Sequence, residues 1–184
     1  SLHDALPICL ADAVVNPHQQ DCGYPYKELC GAGVAWNVIR VLYENYDMDK
    51  REAEDLLDFV AMATVCDVMS LTGENRILVK EGLKRIRHTK NIGLQALMQA
   101  CNVQPENISA YHFGYVLGPC VNATGRLDTA RHALRLFETG QETEAEEIAR
   151  DLVDLNQERK ELTLQGVEMA KKLCEEGGYE NDPV

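Results

Sequence analysis

LLDFVAMATVCDVMSLTGENRILVKEGL, residues 56–83, decides the fold class. Apolar residues on nearly every side between Leu56 and Met69 predict a buried helix, because a helix with no polar face has no side to turn to water. Upstream, Asp49 and Glu52 give a D-x-x-E start signal much like a capping box, so the predicted helix opens near Lys50 and runs to Leu71. Thr72-Gly73-Glu74-Asn75 breaks it, and RILVKEGLKRIRHT restarts as an amphipathic helix.

Within that stretch Asp67 is the informative position. Leu56, Val60, Ala63, Asp67 and Leu71 follow one another at steps of four and three, which sets a carboxylate among aliphatic neighbours on one face. An ionised carboxylate left alone there would cost several kcal/mol. Two readings answer the problem: an ion pair with an arginine such as Arg76, or coordination of a divalent metal ion.

Outward from the centre, helical patterning continues. GAGVAWNVIRVLYENY repeats apolar residues at Val34, Val38, Val41 and Leu42 from Gly31 onward. Before it, ADAVVNPH (residues 11–18) predicts a short buried strand stopped by Asn-Pro, and QQDCGYPYKELC reads as loop. SLHDALPI, residues 1–8, looks like the translation of a sequencing-adapter oligonucleotide and is set apart from the fold. On the other side come a short helix over 94–101, a turn over 105–109, an apolar run over 111–117 and a helix over 129–137. One long helix is predicted from Thr143 to about Glu175. Its apolar stripe passes through Ile148, Leu152, Leu155, Leu162, Met169 and Leu173, with Arg159 and Gly166 at the interrupted positions of a heptad-like spacing. GGYENDPV reads as a linker. The predicted fold is mostly α, with one or two short strands.

A chain of 184 residues suffices for one domain with a real core, or for parts of two. Its apolar runs fall far short of the ~20 residues that cross a bilayer, so no membrane contact is expected. The formal charge of −12 argues against a surface that by itself sheathes a nucleic acid. Seven cysteines without CxxC spacing read as buried reduced thiols of a cytoplasmic protein, not as a disulfide frame or zinc site.

GPCVNATGRL, residues 118–127, concentrates helix breakers behind an apolar run. Gly118-Pro119 would bend the chain, Asn122 would offer an amide, and Gly125 would allow close approach beside Arg126, whose planar fork suits phosphate. The alternative is a plain turn between helices, with Arg126 paired to Asp128 or Glu138. Gly31 and Gly33 in CGAGVA fit an anion at a helix start or, more simply, close packing. His18, His88, His112 and His132 show no metal-ligand spacing; His112 is read as a packed or capping residue. Arg159 is expected to snorkel or to pair with a carboxylate. Asn122-Ala123-Thr124 matches a glycosylation acceptor by chance.

In order, ADAVVNPHQ, CGAGVAWNV, ATVCDVMSLTGENRILVKEGL, YVLGPCVNATGRLDTA and LNQER resemble the RecJ-type single-stranded-DNA exonucleases of the DHH phosphoesterase family, over nearly everything after Ile8. The resemblance implies a metal-dependent, 5′-to-3′ exonuclease of DNA recombination and repair, in which a manganese pair, with magnesium as the alternative, activates water against the phosphodiester. It makes Asp67 a catalytic metal ligand, the last in chain order, and Asn122 and Arg126 contacts to the backbone of single-stranded DNA. Many relatives carry Arg where this chain has Cys120, which removes one cationic contact. It further implies an internal fragment: residues 9–72 as the closing part of an α/β DHH domain and residues 73–184 as a helical connector. The upstream aspartate motifs and the DHH triplet are then missing, and the fragment alone is expected to be inactive. Two other readings stay open, a DHH-family phosphodiesterase of short oligonucleotides or cyclic dinucleotides and a non-enzymatic helical adaptor.

Overall fold

The structure, a computed structural model, describes residues 13–123 and 127–177. Among the described residues every regular element is helical, and the chain divides into two compact units, residues 1–81 and 82–184. The expected tail linker and the segment 1–8 lie outside the described residues.

In the first unit, α1 (Gly31–Asn45), α2 (Lys50–Asp55) and α3 (Leu57–Cys66) pack on one another, and α4 (Gly73–Arg85) begins. The core is Leu29, Trp36, Leu57, Val60 and Leu78, with Tyr24, Tyr26, Val34 and Leu56 against it. The helix expected over 50–71 is two helices. Asp49 does cap α2 through Arg51 N–H, but the helix breaks at Leu56, whose ψ is −6°. The Trp36 indole donates to the Ala53 carbonyl at 2.7 Å, occupying the acceptor that the next helical turn would use. The chain then ends α3 at Cys66 and restarts at Gly73, three residues before the expected point.

The expected strand over 11–18 is absent among the described residues. Val14 and Val15 are exposed, and with no neighbouring strand to share a ladder the segment stays irregular. The Asn16-Pro17 stop is present as a turn, in which Asn16 Oδ1 accepts from His18 N–H at 2.9 Å. Val38, Val41 and Leu42 of α1 are likewise open, and with Val14 and Val15 they line a cleft of about 540 Å³.

In the second unit, α5 (Ile92–Ala100), capped by Asn91 through Leu94 N–H, packs against α8 (Leu127–Glu138) and α9 (Glu142–Gly177). Gly93 is required there: a Cβ at that position would meet the Leu136 carbonyl oxygen at 2.0 Å. Between α5 and α8 runs one continuous helix in three parts, α6 (Ala110–His112), a π-helical segment Phe113–Leu117 and α7 (Gly118–Asn122). Gly118-Pro119 therefore does not bend the chain, contrary to expectation. Proline in an α-helix collides with the carbonyl four residues back; the wider π turn, with Gly118 N–H bonded to Phe113 O, absorbs it. Ile148 and Leu152 of α9 are buried, but Leu162, Met169 and Leu173 are exposed, so the stripe meets a core only as far as Asn156.

Candidate functional site

Asp67 is the C-cap of α3. Val68 N–H bonds Val65 O and Met69 N–H bonds Thr64 O, each at 3.1 Å, the paired pattern of a Schellman ending. Val68 takes the left-handed position at φ 55°, which glycine normally fills. Because the helix has ended, Asp67 leaves the apolar line predicted for it and is exposed. It makes no ion pair with Arg76, so the first of the two readings fails. The carboxylate stands at the negative end of α3, where a cation would relieve it. Burial, and then the Asp67 charge, push the neighbouring Cys66 thiol up to about 11.

The loop that follows Asp67 is held from two sides. Tyr24 OH donates to both Glu74 carboxylate oxygens at 2.7 and 2.9 Å, and Tyr26 OH donates to Thr72 O at 2.9 Å. Fully buried Asn75 donates to Glu28 O at 2.6 Å and Ser70 O at 3.0 Å, while its Oδ1 has no partner. Gly73 sits at φ 49° with its α-carbon against the Tyr26 ring, where a Cβ would come within 2.7 Å. These positioning residues were missed in the sequence; the visible signal was the Tyr-Pro-Tyr triplet inside an otherwise polar loop.

In the second unit Asn122 ends α7 with its side chain exposed, and Cys120 is buried behind it. Arg126, with Gly125, lies outside the described residues, as does its expected pairing with Asp128 or Glu138. Upstream on the same helix Tyr111 and Tyr115 are exposed and stacked, ring centroids 5.1 Å apart and planes 25° apart. His112 caps its helix as expected, its Nδ1 2.9 Å from Ser109 Oγ. Arg159 binds the Asn156 amide oxygen, at 3.0 and 3.3 Å, rather than a carboxylate. Gly33 packs on Leu29 at 3.4 Å, and Gly31 faces open space. Asp67 and Asn122 thus belong to different units. Among the described residues no three His, Cys, Asp or Glu side chains converge to hold a metal ion.

No protein-family profile matches the chain. Individual proteins do: it is 38% identical over 174 residues to the single-stranded-DNA-specific exonuclease RecJ of Haemophilus influenzae, covering 90% of this chain and 30% of that protein. It is 37% identical over 183 residues to RecJ of Escherichia coli, covering 94% and 31%. The crystal structure of Thermus thermophilus RecJ with Mg2+ superposes with a TM-score of 0.71 at 34% identity, over 88% of this chain and 24% of that one. The chain is homologous to a segment of RecJ. It spans about 30% of the length of the curated RecJ proteins it first matches. A second Thermus thermophilus RecJ structure, with Mn2+, gives the same TM-score over 90% of this chain and 23% of that one. The all-helical architecture described above is accordingly that of a RecJ segment, without the one or two strands expected.

Proposed function

We propose that the chain contributes to a RecJ-type exonuclease that hydrolyses phosphodiester bonds of single-stranded DNA from the 5′ end, in the cytoplasm, during recombination and repair. The alignment with RecJ over nine-tenths of the chain carries this reading. In it, residues 9–72 close the DHH domain and residues 73–184 form its helical connector. Asp67 supplies one carboxylate to a divalent-metal centre, manganese or magnesium, and Asn122 and Arg126 contact the DNA backbone.

The local chemistry supports these roles unequally. Asp67 is exposed, without an ion-pair partner and at a helix C-terminus, so it is free to meet a cation; one carboxylate cannot hold a metal pair, and no catalytic step follows from this chain's residues alone. A metal, where bound, would activate water and neutralise charge on the reacting oxygens. The Tyr24, Tyr26 and Asn75 contacts fix the loop beyond Asp67 and so limit its excursions. Exposed Asn122 offers an amide donor, and the Tyr111–Tyr115 stack on the same helix offers aromatic faces of the kind on which unpaired bases stack.

The test exchanges the matching segment of Thermus thermophilus RecJ for residues 13–177. The chimaera should degrade 5′-labelled single strands with manganese, and Asp67→Ala should remove about 10³-fold or more of the rate, as loss of a metal ligand does. A folded, active chimaera that Asp67→Ala leaves unchanged would overturn the assignment. Hydrolysis of only short oligonucleotides or cyclic dinucleotides would instead move the chain to another branch.

A further inference from the structure

We propose that Cys101 and Cys120 are a peroxide-sensitive dithiol pair that closes to a disulfide, tying the end of α5 to the helix that carries Asn122. The two sulfurs stand 3.8 Å apart, although nineteen residues separate them in the chain. Cys101 is the C-cap of α5 and half-buried; Cys120 lies in the first turns of α7 and is buried. Bringing the sulfurs to the roughly 2.05 Å of a disulfide needs side-chain rotation rather than relocation of an element.

The surroundings make the two sulfurs unequal. Asn156 of α9 donates its amide to Cys120 Sγ at 3.5 Å, and Asn156 Oδ1 is itself held by Arg159. The Cys101 hydrogen bond, the Asn156 amide and the charges of Lys160 and Arg159 bring the Cys120 thiol down to about 7. Cys101 is pushed up, by that shared hydrogen bond first and burial second. Cys120 is therefore the nucleophile and Cys101 the resolving thiol. With a hydroperoxide as oxidant, Cys120 thiolate attacks one oxygen, the O–O bond breaks, and Cys120 sulfenic acid and hydroxide form. Cys101 sulfur then attacks the sulfenic sulfur; hydroxide leaves and takes the Cys101 proton as water. Two thiols lose two electrons and the peroxide becomes two waters for hydrogen peroxide.

No other cysteine lies in the tryptic peptide 91–126, which contains both residues of the pair. A Cys174→Ser background removes the exposed thiol that would link chains. That protein, treated with hydrogen peroxide, blocked with N-ethylmaleimide and digested, should yield this peptide unlabelled and two hydrogens lighter, with Tyr111 or Tyr115 cleavage giving fragments still joined. The reaction should run on the order of tenfold faster than in the urea-unfolded chain, reflecting the thiolate at Cys120. With Cys101→Ser, Cys120 should stop at a sulfenic acid that dimedone traps. Labelling of both cysteines after peroxide, oxygen added without a link, or equal rates folded and unfolded would each overturn the proposal.

Discussion

Val68 is the residue under greatest backbone strain near the candidate ligand. A β-branched side chain at φ 55° and 89% exposed makes no packing contact that rewards the conformation. Val68→Gly should therefore raise stability by about 1 kcal/mol, read as a higher urea midpoint with an unchanged slope. Two positions along the same loop, Tyr24 has its pKa raised above the usual 10.0 by burial first and by the Glu74 hydrogen bond second. The folded chain thus holds that proton more tightly than the unfolded one. Its stabilising contribution is complete below pH 10 and fades as pH climbs through the raised value. Tyr24→Phe should flatten the decline in melting temperature above pH 10, and an unchanged decline would place the cause elsewhere. Asp67 itself was legible as a residue but not in its environment. The step-four pattern held only while the helix lasted, and nothing local in VCDVM announces a Schellman ending built on valine.

Helix positions were legible where periodicity and caps agreed, as at Asp49, Gly31 and the start of α9. The break at Leu56 was not, because its cause is an indole seventeen residues upstream taking a backbone acceptor. Gly118-Pro119 misled for a related reason: proline's cost is real in an α-helix and is relieved in a π turn, which no propensity scale anticipates. The α5–α8 contact turns on Gly93. Any Cβ there must displace the Leu136 backbone, so Gly93→Ala should cost about 3 kcal/mol or more and lower the calorimetric melting temperature accordingly. Arg135 reinforces the α8–α9 side of this unit with two bonds to Glu144, at 2.7 and 3.0 Å, and Thr139 binds the same carboxylate.

Across the whole molecule, burial is uneven. The cores of both units are closed, yet Val38, Val41 and Leu42 of α1 and the second half of α9 keep large apolar side chains in water. A twenty-residue helical stretch without packing is marginal in water. Amides of residues 158–177 should exchange with deuterium far sooner than those of residues 145–156, a contrast that peptide-level mass measurement resolves. Equal protection would mean that α9 is held by contacts beyond those described. The helical class and the order of elements could be read from the sequence, whereas the extent of the α9 core could not, since a heptad-like stripe looks the same whether or not another surface covers it.

The π segment has an arithmetic of its own. It is one residue longer than the α-helical turn it replaces, so deletion of a single residue from Phe113–Leu117 would restore ordinary winding and rotate all that follows by about 100°. Cys120 would swing away from Cys101, Pro119 would face the carbonyl it now avoids, and the amide of Asn122 would point in a new direction. The extra residue works as a spacer that sets the angular phase of the helix end.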